Sequence, residues 1–128
     1  MTINDNQTLE ESVRDGKYHR VFREYYGDRQ LCLETTYIGK KKNGYMKKWY
    51  TSGVPKKNIE YTDDKMNGVF QRWYDNGQLL MLGECSEGKR VGTWKYWKKD
   101  GSLHHERTYQ NGFSSDKPAV VISKCLLT

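Results

Sequence analysis

No stretch of this sequence approaches the 18 or so consecutive apolar residues of a membrane-spanning helix. Its first sixteen residues, MTINDNQTLEESVRDG, lack the basic and apolar blocks of a signal peptide. Cysteine is scarce: Cys32, Cys85 and Cys125 are odd in number and have no C-x-x-C spacing. That argues against a disulfide framework or a zinc site, and for free thiols in a reducing, cytoplasmic setting. Apolar residues are also few. The hydrophobic fraction is 35%, against roughly 45–50% for an ordinary soluble domain on a count that includes glycine. Much of it is aromatic, with ten Tyr, four Trp and three Phe. Side chains with one oily face and one polar edge suit a thin, half-wet sheet better than a thick globule.

Reactive clusters are equally thin. No phosphate-binding G-x-x-x-x-G-K-[ST] occurs. His104 and His105 could pair with Cys85, but neighbours on one strand point to opposite faces, so only one could serve. Asp63-Asp64 falls in an expected turn, the usual solvated place for paired carboxylates. Nothing here calls for catalysis, a metal or a cofactor.

What the sequence does contain is a single period, the step that carries Trp49 onto Trp73. Tyr25, Trp49, Trp73 and Trp97 are one step apart, as are Phe22, Met46, Phe70 and Trp94. Gly53, Gly77 and Gly101 keep the same step; so do Gly44, Gly68 and Gly92, and Tyr26, Tyr50 and Tyr74. Register holds from Arg20 to Gly112 without insertion or deletion. Such a period, sustained over several copies, marks a repeat architecture. Within one unit, the aromatic segment 69–74 predicts a strand, Asp75-Asn76-Gly77 a turn, Leu79 to Cys85 a return strand, and residues 86–89 a second turn. Thr51-Ser52-Gly53 and Lys99-Asp100-Gly101 are the equivalent first turns. In the first copy the glycine of Gly27-Asp28-Arg29 comes two places early, so a different turn type is expected there. Pro55 opens its return strand, where a missing N–H is tolerated.

Four such units over residues 17–113 predict an all-β fold: one elongated, curved antiparallel meander of about eight strands. Alternation places the Tyr25–Trp97 row on one face and the Phe22–Trp94 row, with Tyr26, Tyr50 and Tyr74, on the other. Stability then comes from packing each unit on the next, with Trp73 expected between its neighbours. The leader, residues 1–16, is acidic, with Asp5, Glu10, Glu11 and Asp15 against Arg14. Thr8-Leu9-Glu10-Glu11 has the spacing of a capping box and Gly16 could end a short helix, docked on the first edge or loose. The tail, 114–128, holds the aliphatic run Ala119–Ile122, which suits a cap on the last edge or a docking segment.

The motif Trp73-Tyr74-Asp75-Asn76-Gly77-Gln78-Leu79, followed by Gly88 and Gly92, resembles the MORN repeat in its longer variant form. The resemblance spans about residues 17–113, with the first copy lacking the turn glycine. It implies a row of β-hairpins with no catalytic residues. Similar variant arrays occur in bacteria, some classed as antitoxins, and in large DNA viruses. Classical members are described as scaffolds and phosphoinositide binders.

Function is therefore expected to be non-enzymatic: a protein-interaction or scaffolding module whose partner is another protein or a second copy. An antitoxin-like partner of a toxin and a peripheral binder of anionic membrane surfaces are the alternatives. The repeats carry the basic excess, 19 Lys and Arg against 11 Asp and Glu over residues 17–112. Lys40, Lys41, Lys42, Lys47, Lys48, Lys56 and Lys57 are the candidates for an anionic surface. Basic residues interleaved with aromatics also suit nucleic acid, but aromatics that recur in every repeat point to packing.

Overall fold

In the computed structural model, which describes residues 3–114, the chain reverses at 15–16, 39–40, 63–64, 87–88 and 111–112, each one repeat after the last. Asp15 and Gly16 have φ of 52° and 74°, Asp63 and Asp64 of 47° and 70°, and Glu87 and Gly88 of 51° and 84°. Two successive left-handed residues make a type I′ turn, whose twist matches that of the strands it joins; at 39–40 only Gly39, with φ of 64°, is left-handed. Between these lie longer turns with one hydrogen-bond pattern. Tyr74 N donates to Gln78 O (2.8 Å) and Gly77 N to Tyr74 O (3.1 Å), and the same pair of bonds recurs at Tyr50, Tyr26 and Lys98.

The two turn types alternate and cut the chain into strands. These are β1 (Gln7–Arg14), β2 (Lys17–Tyr25), β3 (Leu31–Ile38), β4 (Lys41–Trp49), β5 (Pro55–Thr62), β6 (Lys65–Trp73), β7 (Leu79–Ser86), β8 (Lys89–Trp97), β9 (Leu103–Gln110) and β10 (Phe113–Ser114). They form one antiparallel sheet in sequence order, and each strand packs on its sequence neighbours. At about 4.8 Å per strand the sheet is roughly 40 Å long. No helix among the described residues is long and apolar enough to cross a membrane.

Two expectations from sequence are corrected. The leader does not form a short helix: residues 7–14 are β1, paired with β2 from Gln7↔Glu24 to Arg14↔Lys17. A two-turn helix is marginal alone, whereas the Asp15-Gly16 turn delivers the segment to a ready-made edge and sets Leu9 opposite Phe22. With β1 and β10 the sheet has ten strands rather than eight. The first longer turn is also not of a different type. Arg29 takes φ of 72° where Gly53, Gly77 and Gly101 take 93°, 88° and 94°. The hydrogen bonds around it, and the Asp28 carboxylate accepting from Gln30 N (3.0 Å), hold the chain there against that cost. Arg29→Gly is accordingly expected to raise stability by up to about 1 kcal/mol, read as a shift in the urea midpoint. A loss of stability would contradict the strained-turn reading.

The core follows one pleat row: Leu9, Phe22, Thr35, Met46, Ile59, Phe70 and Gly83 lie opposite one another strand by strand. Trp94 completes it. Buried side chains among the described residues are Thr35, Ile59, Cys85 and Trp94, the last with no exposed surface. Trp49, Trp73 and Trp97 are half-buried instead. The residue packed hardest is thus Trp94, in the Phe22 row, and not Trp73. Its ring lies 5.0 Å from Phe70 and 6.1 Å, edge-on, from Tyr109. The indole N–H donates to Glu84 O (3.0 Å) and Val91 O (3.2 Å). Arg90 covers the ring at 4.3 Å and donates to the hydroxyls of Tyr96 (2.9 Å) and Tyr109 (3.1 Å). Residues assigned to the tail fall outside the described part of the chain, apart from the backbone of Ser114 in β10.

Candidate binding surface

Each longer turn is tied to the next by its tyrosine. Tyr26 Oη donates to Trp49 O (2.6 Å), Tyr50 Oη to Trp73 O (2.7 Å) and Tyr74 Oη to Trp97 O (2.8 Å). This ladder accounts for a tyrosine period that sequence assigned only to a face. Removing one hydroxyl leaves a half-buried carbonyl short of a partner, so Tyr50→Phe is expected to cost about 0.5–1.5 kcal/mol. A denaturation midpoint equal to wild type would mean water replaces the bond.

On the opposite long side each tight turn leans on the start of the strand that follows the turn before it. Asp64 N donates to Lys42 O (3.0 Å), and Lys42 N returns a bond to Asp64 Oδ1 (2.7 Å). Asn43 accepts from Asp63 N (3.0 Å), and Asn67, its counterpart in the next repeat, accepts from Glu87 N (3.2 Å). Asp63 and Asp64 thus work as turn residues. Gly44, Gly68 and Gly92 sit at positive φ where the pairing register slips between strands. A Cβ on Gly68 would meet Glu60 Oε1 at 2.1 Å, the oxygen that accepts from Val69 N (3.2 Å).

The seven lysines singled out from sequence do not form one patch. Lys40, Lys41 and Lys42 lie at the end of β4 that follows the Gly39-Lys40 turn, and Lys47 and Lys48 lie at its other end, roughly 20 Å along the strand. Lys40 and Lys41 are exposed. Lys42, Lys47 and Lys56 lie over aromatic rings: Tyr61 at 5.0 Å, Tyr45 at 5.5 Å and Tyr50 at 5.4 Å. These contacts lay the aliphatic stems along the sheet and leave the charge partly wet.

What the structure does assemble is a line of cations across three strands. Lys48 on β4 is opposite Lys57 on β5, and Lys57 is opposite Arg72 on β6. Arg72 escaped the sequence reading because it belongs to no run of basic residues; only register reveals it. All three are half-buried, and no carboxylate among the described residues pairs with them. Burial pushes the Lys57 ammonium below its usual range, and Arg72, Lys48 and Lys56 push it the same way. Lys48 and Lys57 also line a groove of about 210 Å³ with Trp49, Trp73, Lys47, Pro55 and Asn58. The Asn58 carbonyl oxygen is buried without a hydrogen-bond partner, although its amide donates to Gln71 Oε1 (3.0 Å).

Elsewhere the titratable groups serve packing. Arg23 joins Glu34 (2.7 Å) and Glu10 (3.0 Å) across β1, β2 and β3. Cys32 and Cys85 are free thiols, and burial raises the Cys85 thiol above its usual range, away from the reactive thiolate. His105 stacks on Tyr96 at 4.4 Å, and its ring also touches that of His104. Cys85 lies instead opposite Gly68 and Arg90, so the two histidines and this thiol are not paired in the sheet.

No curated protein matches the chain. Residues 66–84 and 90–111 match the family described as the MORN repeat variant. The matched segments are β6 with most of β7, and most of β8 with β9. The longer-turn hydrogen bonds and the tyrosine bonds extend that pattern back to Tyr26, and the chain is a MORN-type repeat protein.

Proposed function

We propose that the array is a non-enzymatic protein-interaction or scaffolding module. The observation that carries this reading is a ten-strand sheet one layer thick, on which the tryptophan row and most of the Phe22 row stay half-exposed. Sheets normally bury one face against a second layer. A sheet without one keeps an aromatic surface free for a partner, and Tyr and Trp supply much of the binding energy at such interfaces. An antitoxin, which masks a toxin by contact alone, is one form of this function, and pairing with a second copy is another.

Affinity capture with the wild-type chain and with a Trp49→Ala/Trp73→Ala variant tests the reading. A protein retained by wild type and lost by a variant that keeps its β spectrum supports it. Identical retention by both removes the tryptophan groove from the interface. Light scattering on the purified chain reports self-association directly.

A second reading, peripheral association with phosphoinositide membranes, is favoured by the exposed Lys40 and Lys41 at one turn edge. Co-sedimentation with phosphoinositide liposomes at low salt, abolished by Lys40, Lys41 and Lys42→Glu, is the result expected of it. Wild type left in the supernatant ends it.

A further inference from the structure

Structural demands in a repeat array recur with the repeat, so chemistry that breaks the period asks for another cause. The row containing the cation line reads Gln7, Glu24, Leu33, Lys48, Lys57, Arg72, Met81, Tyr96, His105 from one edge to the other. Equivalent positions in successive repeats are thus Glu24, Lys48, Arg72 and Tyr96, or Leu33, Lys57, Met81 and His105. Nothing about the turn or the packing requires a cation at any of them. Yet three cations stand side by side at the centre of the sheet, where like charges directly opposite are destabilising. Burial first, and then the charges of Arg72, Lys48 and Lys56, lower the affinity of Lys57 for its proton. A sequence that breaks a local rule without compensation inside the fold does so at functional sites.

We propose that Lys48, Lys57 and Arg72 are the docking site for an acidic, amphipathic segment of a partner protein, laid across β4, β5 and β6. This rests on the protein-interaction reading and names the partner's chemistry. One pleat step along the same strands, roughly 6.5 Å away, lie Met46, Ile59 and Phe70. A segment crossing the strands therefore meets three cations along one side and the half-buried Met46 and Phe70 along the other, with Ile59 buried between them. Carboxylates on one flank and aliphatic side chains on the next complement both. A long polyanion fits less well, because Glu24 stands in the same row two strands from Lys48. A flat bilayer fits less well too, because the three cations are half-buried in the sheet face, whereas the exposed Lys40 and Lys41 stand at the far end of β4.

The test uses the full-length chain, a fluorescein-labelled peptide alternating Glu-Glu with Leu-Leu, and a Lys57→Met/Arg72→Met variant that keeps an unbranched apolar stem and removes the charge. The peptide is expected to bind wild type and weaken as salt rises, and to bind the variant at least tenfold more weakly. The variant's melting temperature should equal or exceed that of wild type, since the repulsion is gone. A purely structural role for these cations predicts the reverse, a lower melting point with unchanged peptide binding, and would overturn the proposal. Equal peptide binding by both proteins overturns it as well. Stronger binding to phosphoinositide vesicles or to a single-stranded oligonucleotide, lost with the same two substitutions, assigns the site to another class of ligand and overturns the acidic segment. A partner captured equally by wild type and variant overturns this site while leaving the interaction reading intact.

Discussion

Gly83→Ala is expected to destabilise the sheet by about 3 kcal/mol or more, the upper end of what overpacking costs. A Cβ at this position would sit 2.1 Å from Cδ2 and 2.2 Å from Cε2 of Trp94. Trp94 has no room to move: Phe70 and Tyr109 flank it, Arg90 covers it, and its N–H is held by two backbone carbonyls. The equivalent residue one unit earlier is Ile59, opposite Phe70. Tryptophan at 94 thus goes with the missing side chain at 83, a large–small pair in place of Phe70 with Ile59. The pair Gly83→Ile/Trp94→Phe copies Ile59 and Phe70, and should recover most of the stability that Gly83→Ile alone loses. Losses that simply add in the double variant would show that the two positions do not share one space.

Trp94→Ala is expected to cost about 3–5 kcal/mol, the range for removing a buried large aromatic. Three consequences combine: a cavity in the row, loss of the stacking partner of Phe70, and an Arg90 guanidinium left without the ring beneath it. Trp73→Ala serves as the control. Trp73 is half-buried and uses its backbone carbonyl, not its indole, to receive Tyr50, so the substitution should cost clearly less. Equilibrium urea unfolding by far-UV circular dichroism compares the two. Equal losses would mean that the tryptophan row, rather than the Phe22 row, forms the core.

Sequence made the period, the strand-turn-strand unit and the two aromatic rows legible, because glycines and large aromatics recur visibly. Less visible was the extent of the array. Asp15-Gly16 lies one full repeat before 39–40, but its neighbour strand β1 has no aromatic to announce it, and the capping-box spacing of Thr8 and Glu11 competed as a helix signal. Arg29 misled for a related reason. Turn geometry there is fixed by hydrogen bonds from Tyr26 N to Gln30 O, Arg29 N to Tyr26 O and Gln30 N to the Asp28 carboxylate, and the left-handed residue simply adopts it. Trp94 could not be ranked above Trp73 without knowing that Gly83 lies against it. The lysine runs were legible as charge but not as a surface, since strand register, not sequence proximity, joins Lys48 and Lys57 to Arg72 and parts them from Lys40–Lys42.

The central claim is an open, single-layer sheet in which each strand meets its sequence neighbours. Cross-strand nuclear Overhauser effects in the native protein test it most directly. Ile59 should show contacts to both Met46 and Phe70, and Leu9 to Phe22, with the outer side of β1 showing none to β9 or β10. Contacts between β1 and the last strands, or sequential helical contacts over residues 8–15, would contradict it.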